Sequence, residues 1–192
     1  MKRISLTIVF CAALAFVGCK NEKKDQDTDK VSDTEMTRET TKEVKKVTVT
    51  LEPKSDSKLS GNAVFTEENG EVTMVAIIDG LSEGSHAIHL HETADCSAQD
   101  GSSAGGHWNP TAEKHGKWGD AEGYHKGDIG NFKVGANGQG TITMTTDEWC
   151  IGCDDQNKNI IGKSLLIHDG VDDFTSQPSG AAGTRVGCGS IK

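Results

Sequence analysis

All seven histidines of this 192-residue chain lie between His86 and His168, and none falls in the long polar stretch near its N-terminus. A fold that uses them must draw distant segments to one place. His89 and His91 are two apart in an apolar run. On a strand, side chains at i and i+2 share a face, so both imidazoles can reach one ion. His168 ends another apolar run and can complete that set from across a sheet. His107, His115, His125 and Asp128 come from a stretch of little periodicity that can bend into a tetrahedral arrangement. Neutral imidazole is a good ligand for copper and zinc, and one carboxylate among imidazoles favours zinc. A single histidine would be read as solvated or hydrogen-bonded. Six together with an aspartate are read as a centre for two adjacent metal ions.

The strands that would carry these residues are legible from alternation. Val47–Leu51 alternates, as does the first half of Val72–Ile78. Between apolar runs stands Glu68-Asn69-Gly70-Glu71, and Asn-Gly is a strong hairpin signal because both residues tolerate positive φ. A second hairpin is expected from Ile129–Val134 through the glycine-rich 135–140 turn into Thr141–Thr145. Ile160–His168 is a further β-branched and apolar run. Twenty-three glycines with one tyrosine and five phenylalanines suit short strands joined by tight turns. No amphipathic helix and no repeat stands out, so the chain is predicted to be all-β. The long stretch from Glu92 to Gly127 would need support from metal and a disulfide.

The N-terminus has a different character. Met1-Lys2-Arg3 is a short basic segment, Ile4–Val17 is almost unbroken apolar sequence, and Gly18-Cys19 ends it. That run is short for a membrane span and has the layout of a secretory signal, here taken as residues 1–18. The exit cysteine resembles the lipobox of bacterial lipoproteins, with Cys19 as the lipid-modified first residue; a plain cleaved signal is the competing reading. Residues 20–46 hold eight basic and eight acidic side chains and no aromatic residue. Such a segment cannot bury enough apolar surface to order itself, so 19–46 reads as a charged tether from a membrane. The expected location is exported: periplasmic, or anchored at the outer membrane. Export makes disulfides permissible. Residues 47–192 carry ten basic against twenty-one acidic side chains, which argues against nucleic-acid binding by a basic face.

Several motifs in order carry a resemblance over residues 47–192. They are His89-Leu90-His91-Glu92, Gly105-Gly106-His107-Trp108-Asn109-Pro110, Lys114-His115-Gly116, His125-Lys126-Gly127-Asp128-Ile129-Gly130-Asn131, Ile160–His168 and Gly183-Thr184-Arg185-Val186-Gly187-Cys188-Gly189. Together they resemble the copper/zinc superoxide dismutase family. The resemblance implies an eight-stranded Greek-key β-barrel or sandwich with long metal-binding loops. It implies copper on His89, His91, His107 and His168, and zinc on His107, His115, His125 and Asp128, with His107 shared. His86 would hydrogen-bond without ligating. Asp172 would link a copper-side imidazole to a zinc-side one; an ordinary solvated acidic pair with Asp173 is the competing reading. Cys96 and Cys188 would form the disulfide, and Arg185 would orient the anionic substrate. A homodimer is compatible with the family.

The implied reaction uses two superoxide ions. One reduces Cu(II) and leaves as dioxygen; the other oxidises Cu(I) and, with two protons, leaves as hydrogen peroxide. Zinc has no accessible redox couple, so copper is required. A non-catalytic copper/zinc carrier or copper-delivery module on the same fold is the alternative. Filled ligand positions and Arg185 favour the enzyme. The acidic domain would repel an anion overall, so attraction must be local, through Arg185 and the metals; Lys163 reads as a solvated lysine. Trp149-Cys150-Ile151-Gly152-Cys153 departs from the family pattern and reads as a local disulfide, with a metal-delivery or redox role as the competing reading. His115 and His125 stand one residue further apart than the family pattern leads one to expect.

Overall fold

The computed structural model describes residues 43–192. The expected signal, Cys19 and the expected tether up to residue 42 lie outside them. Eight strands form a closed antiparallel barrel: β1 Lys45–Pro53, β2 Ser60–Glu68, β3 Glu71–Asp79, β4 Gly84–His91, β5 Gly130–Val134, β6 Gln139–Thr146, β7 Ser164–His168 and β8 Arg185–Ser190. Around the barrel the order is β1-β2-β3-β6-β5-β4-β7-β8, so the β3–β4 and β6–β7 connections cross over neighbouring strands in Greek-key fashion. The all-β barrel expected from the sequence is what forms. Strand β1 opens at Lys45, two residues ahead of Val47. Among the described residues the only helical piece is one 3-10 turn at Ser102–Ala104.

Local chemistry explains the elements. Asn69 (φ 57°) and Gly70 (φ 85°) form the two-residue turn that joins β2 to β3. In β3 the alternation runs the whole length: Val72, Met74, Ala76 and Ile78 are buried, while Val75 and Ile77 face solvent. The 160–168 run forms a shorter strand than its composition predicts. Ile160–Lys163 turns instead, with Gly162 at φ 87°, and pairing begins at Ser164. The buried side chain of Ile160 joins the core without belonging to a strand.

The barrel interior is packed by Val49, Leu51, Phe65, Met74, Ile88, Leu90, Leu165 and Ile167, among others. The outer face of β1, β2, β3 and β6 is largely solvated, whereas β4 and β7 are buried on both faces. Ile88 and Leu90 point into the barrel, so by the two-residue period His89 and His91 point outward. Long connections over residues 92–129 and 169–184 cover that outer face. The candidate ligand residues therefore sit outside the barrel wall and beneath its loops.

Candidate metal centre

Register fixes the first group. Strand β4 pairs with β7 so that His89 lies opposite Leu166 and His91 opposite Ser164. Strand β7 ends at His168 on the same outward parity. A bulge between Ile167 and His168 shifts the β7–β8 register, so that His168 faces Arg185 while Val186 turns into the core. Bulges re-aim side chains beside functional sites, and this one brings the guanidinium to the histidine face. The loop after β4 returns over the strand: Glu92 N–H donates to Gly106 O, Trp108 N–H to Leu90 O, and His91 pairs with His107 in a bridge.

Two four-residue groups result. His89, His91, His107 and His168 each present one ring nitrogen, and these atoms lie within 4.8 Å of one another. His107, His115, His125 and Asp128 form a second group with the same spread, so His107 belongs to both. The His89 and His107 ring centroids are 4.0 Å apart, and those of His107 and His115 are 5.3 Å apart. All seven side chains are buried. The longer His115–His125 interval is taken up by successive turns, Lys117–Asp120 and Asp120–Gly123, which leave the group together.

The donor chemistry fits metal ions. Six buried imidazole nitrogens have no hydrogen-bond partner: Nδ1 of His89, His115 and His125, and Nε2 of His91, His107 and His168. In five of these rings the other nitrogen is engaged. His89 and His115 use Nε2 on the two oxygens of Asp172, both at 2.8 Å. His91 Nδ1 meets Gly105 O at 3.0 Å, His107 Nδ1 meets Asp128 at 2.8 Å, and His168 Nδ1 meets Gly183 O at 3.3 Å. A buried polar atom left unpaired costs roughly 1–3 kcal/mol, so six of them converging in two groups suit cations. Fixing a ring through its second nitrogen is also how metal-binding histidines are oriented.

Electrostatics separates the two groups. Burial, with the neighbouring imidazoles adding to it, lowers histidines of the first group: His168 to about 3, and His91 well below its usual value. Burial also takes His107 to about 4 against the pull of Asp128. These rings are neutral near pH 7, as ligands must be. For His115 burial acts in the same direction but is outweighed by the two carboxylates beside it, Asp128 at 3.0 Å from Nδ1 and Asp172 bonded to Nε2, and the value rises to about 9. Burial would raise Asp128 and Asp172, yet the imidazole and backbone donors around them hold both carboxyls well below the ordinary range.

Asp172 is itself held. Its N–H donates to the Asn131 side chain, and the Asn131 amide donates back to Asp172 O, both at 2.8 Å. Gly180 lies so close that a Cβ there would sit 1.8 Å from Asp172 Oδ1, so glycine is required beside this carboxylate. His86 takes no part in either group and bonds to His168 O and Ser82 O. The Cys96–Cys188 disulfide, 92 residues apart in sequence, ties the loop after β4 to β8. On the chain-entropy model a closure of that length is worth roughly 4–5 kcal/mol. Arg185 donates to Gly101 O and Gly105 O of the same loop, both at 2.8 Å. Burial lowers its pKa, which still leaves it charged.

An open depression of about 490 Å³ leads to this face, and His107, His125 and Arg185 are in its wall. Glu92 and Glu113 are there too, so the cationic contribution is local. Lys163 is not in the wall; its Nζ lies 3.3 Å from Glu92 O and over the Trp108 ring. Gln177, also in the wall, grips the His115 backbone from both sides, accepting from its N–H and donating to its C=O at 2.8 Å. Neither Gln177 nor Asn131 carries a pattern in the sequence that assigns these tasks.

Comparisons with known proteins point to one family. The family model described as copper/zinc superoxide dismutase (SODC) matches residues 59–191. A curated relative, Superoxide dismutase [Cu-Zn] 5 of Dictyostelium discoideum, is 37% identical over 131 residues, covering 65% of this chain and 83% of that protein. Among solved structures, a double mutant of a SOD-like protein from Bacillus subtilis matches with a TM-score of 0.67 and 30% identity, over 75% of this chain and 95% of that one. The clock protein EA4 matches with a TM-score of 0.67 and 31% identity, over 76% and 92% respectively. The chain belongs to the copper/zinc superoxide dismutase family, oxidoreductases whose cofactors are copper and zinc.

Proposed function

We propose that the protein consumes superoxide at a copper ion held by His89, His91, His107 and His168, with zinc on His107, His115, His125 and Asp128 and the His107 ring shared between them. The observation that carries this reading is the double membership of His107. Its Nδ1 lies on Asp128 within one group, while its buried Nε2 faces the other without a hydrogen-bond partner. Copper supplies the one-electron couple, so that two superoxide ions and two protons become one dioxygen and one hydrogen peroxide. The protein's own residues do the rest. Arg185, fixed by two carbonyls, presents its charge to an anion entering from the depression. His107 is the ring placed to hold and give up a proton on the copper side. Asp172 sets the tautomers of His89 and His115 together. Buried strands behind the histidines exclude water from all but the open side.

We further propose export and membrane attachment through Cys19, as the N-terminal sequence suggests. Release of the protein from membranes by Cys19→Ala is the check on attachment. For the reaction, purified full-length protein is assayed for metal content and superoxide consumption beside His107→Ala. The variant is expected to lose at least about a hundredfold in rate, as when a group central to catalysis is removed. Full activity in that variant, or activity in a zinc-only, copper-free preparation, overturns the reading.

A further inference from the structure

The Trp149–Cys153 addition has no part in the reaction outlined above, yet it is bound to the zinc-side loop at several points. Trp149 is buried against Phe65, with ring centroids 6.2 Å apart. Edge-on to it lies Trp118 at 5.5 Å, which in turn packs on Tyr124 at 5.1 Å. The Trp149 indole N–H donates to Lys126 O at 2.9 Å. Next to it, the Glu148 carboxylate accepts from the Tyr124 hydroxyl at 2.6 Å and from the Lys126 ammonium. Tyr124 and Lys126 are the two neighbours of His125. Residues 148 and 149 thus grip the chain immediately before and immediately after one imidazole of the zinc-side group.

The grip has a firm base. Cys150 and Cys153 are disulfide-bonded, closing a small ring directly after Trp149. Cys150 N–H donates to Lys158 O, and Ile160 N–H to Cys150 O. Ile151 N–H donates to the Glu67 carboxylate at 2.7 Å, while Lys45 Nζ donates to Ile151 O at 3.0 Å. Lys45 and Glu67 are register partners in β1 and β2, so the ring is seated on the barrel edge. By contrast, the backbone bonds over residues 117–123 are local turns. His125 has its own turn with Asp128, and Gly127 is tied to Leu90 and Trp108; on the N-terminal side of His125, Tyr124 is anchored by Glu148 and the Trp118 ring.

We propose that Glu148 and Trp149, seated by the Cys150–Cys153 ring, are positioning residues for His125 that govern how tightly the zinc site keeps its ion. This rests on the zinc assignment made above. Outer partners that orient metal ligands are worth roughly 10–100-fold in affinity, and a grip acting through the two flanking residues belongs near the lower end, about tenfold.

The test uses the full chain loaded with copper and zinc. Zinc release to a chromogenic chelator is timed for the parent, Glu148→Gln, Tyr124→Phe, the Glu148→Gln/Tyr124→Phe pair, and Cys150→Ser/Cys153→Ser. Copper release is timed in the same samples, and the visible spectrum is recorded with cobalt(II) in place of zinc. Glu148→Gln, at a partly exposed position, spares the core that Trp149→Phe would disturb. Expected are an approximately tenfold faster zinc release in Glu148→Gln and in the cysteine pair, an altered cobalt spectrum, unchanged copper release, and non-additivity of Glu148→Gln with Tyr124→Phe. Parental zinc release in Glu148→Gln overturns the proposal. So does equal acceleration of copper and zinc, which marks general loosening. A parent that takes up neither zinc nor cobalt at these residues instead defeats the zinc assignment itself.

Discussion

Replacing Asp172 by asparagine separates the two metal sites because its two oxygens are not equivalent. Oδ1 accepts from His115 at 2.8 Å and from the Phe174 N–H at 2.7 Å, whereas Oδ2 accepts from His89 alone. An asparagine has one acceptor oxygen and will keep it where two donors point. Its NH2 then faces the His89 N–H, donor against donor, in a fully buried place. One charge-assisted bond of roughly 1.5–3 kcal/mol is lost at His89, and an unpaired donor remains. Removal of such a partner typically costs 10–100-fold in metal affinity. With His89 in the group proposed to hold copper, the loss is expected to fall mainly on copper, by about 10–100-fold, and zinc to lose less than about tenfold. Competition against chelators of graded affinity, run separately for the two metals, measures both. Zinc lost first, equal losses, or no change in either metal would refute the reasoning, because each contradicts the asymmetry of the carboxylate.

The metal-free protein should be most stable near neutral pH, as checked by thermal melting from pH 4 to 10. His115, raised to about 9, contributes stability that is complete below its ordinary value of 6.5 and is lost as pH rises through about 9; His107 and His168, lowered to about 4 and 3, contribute stability present above 6.5 and lost as pH falls toward those values. Zinc loading takes the His115 site from its proton and should flatten the alkaline limb; an apo protein equally stable at pH 7 and pH 10 contradicts the assignment. At the mouth of the depression, neutralising Glu113 should raise kcat/KM for superoxide about twofold, since one charge at about 10 Å in water is worth roughly 0.4 kcal/mol. That gain should vanish in 0.5 M salt, and a fall in Glu113→Gln at low salt would show the acid is not repelling the substrate.

What could be read in the sequence was what short-range periodicity records. Asn69-Gly70 announced its hairpin because two positive φ angles admit few residue types. His89 and His91 declared a shared face because the strand period is two. The resemblance supplied the pairing of Cys96 with Cys188 and the notice of Asp172, neither of which spacing alone could give. What stayed hidden depends on contacts between remote segments. Asn131 and Asp172 clasp each other across 41 residues, and Gln177 holds His115 across 62, pairings that no local pattern records. The bulge at Ile167/His168 was invisible because it is a property of pairing, not of composition. Ile160–Lys163 looked like strand since its apolar side chains are needed by the core, which is satisfied equally well from a turn.

The outward parity of the histidines has one more consequence. None of the candidate ligand side chains belongs to the hydrophobic cluster that packs the barrel. In a zinc finger, folding and metal uptake are one event. Here the scaffold can be complete before any ion arrives, and only the overlying connections wait for it. A late delivery route, with the ions meeting an already shaped receptacle, is therefore open to this chain.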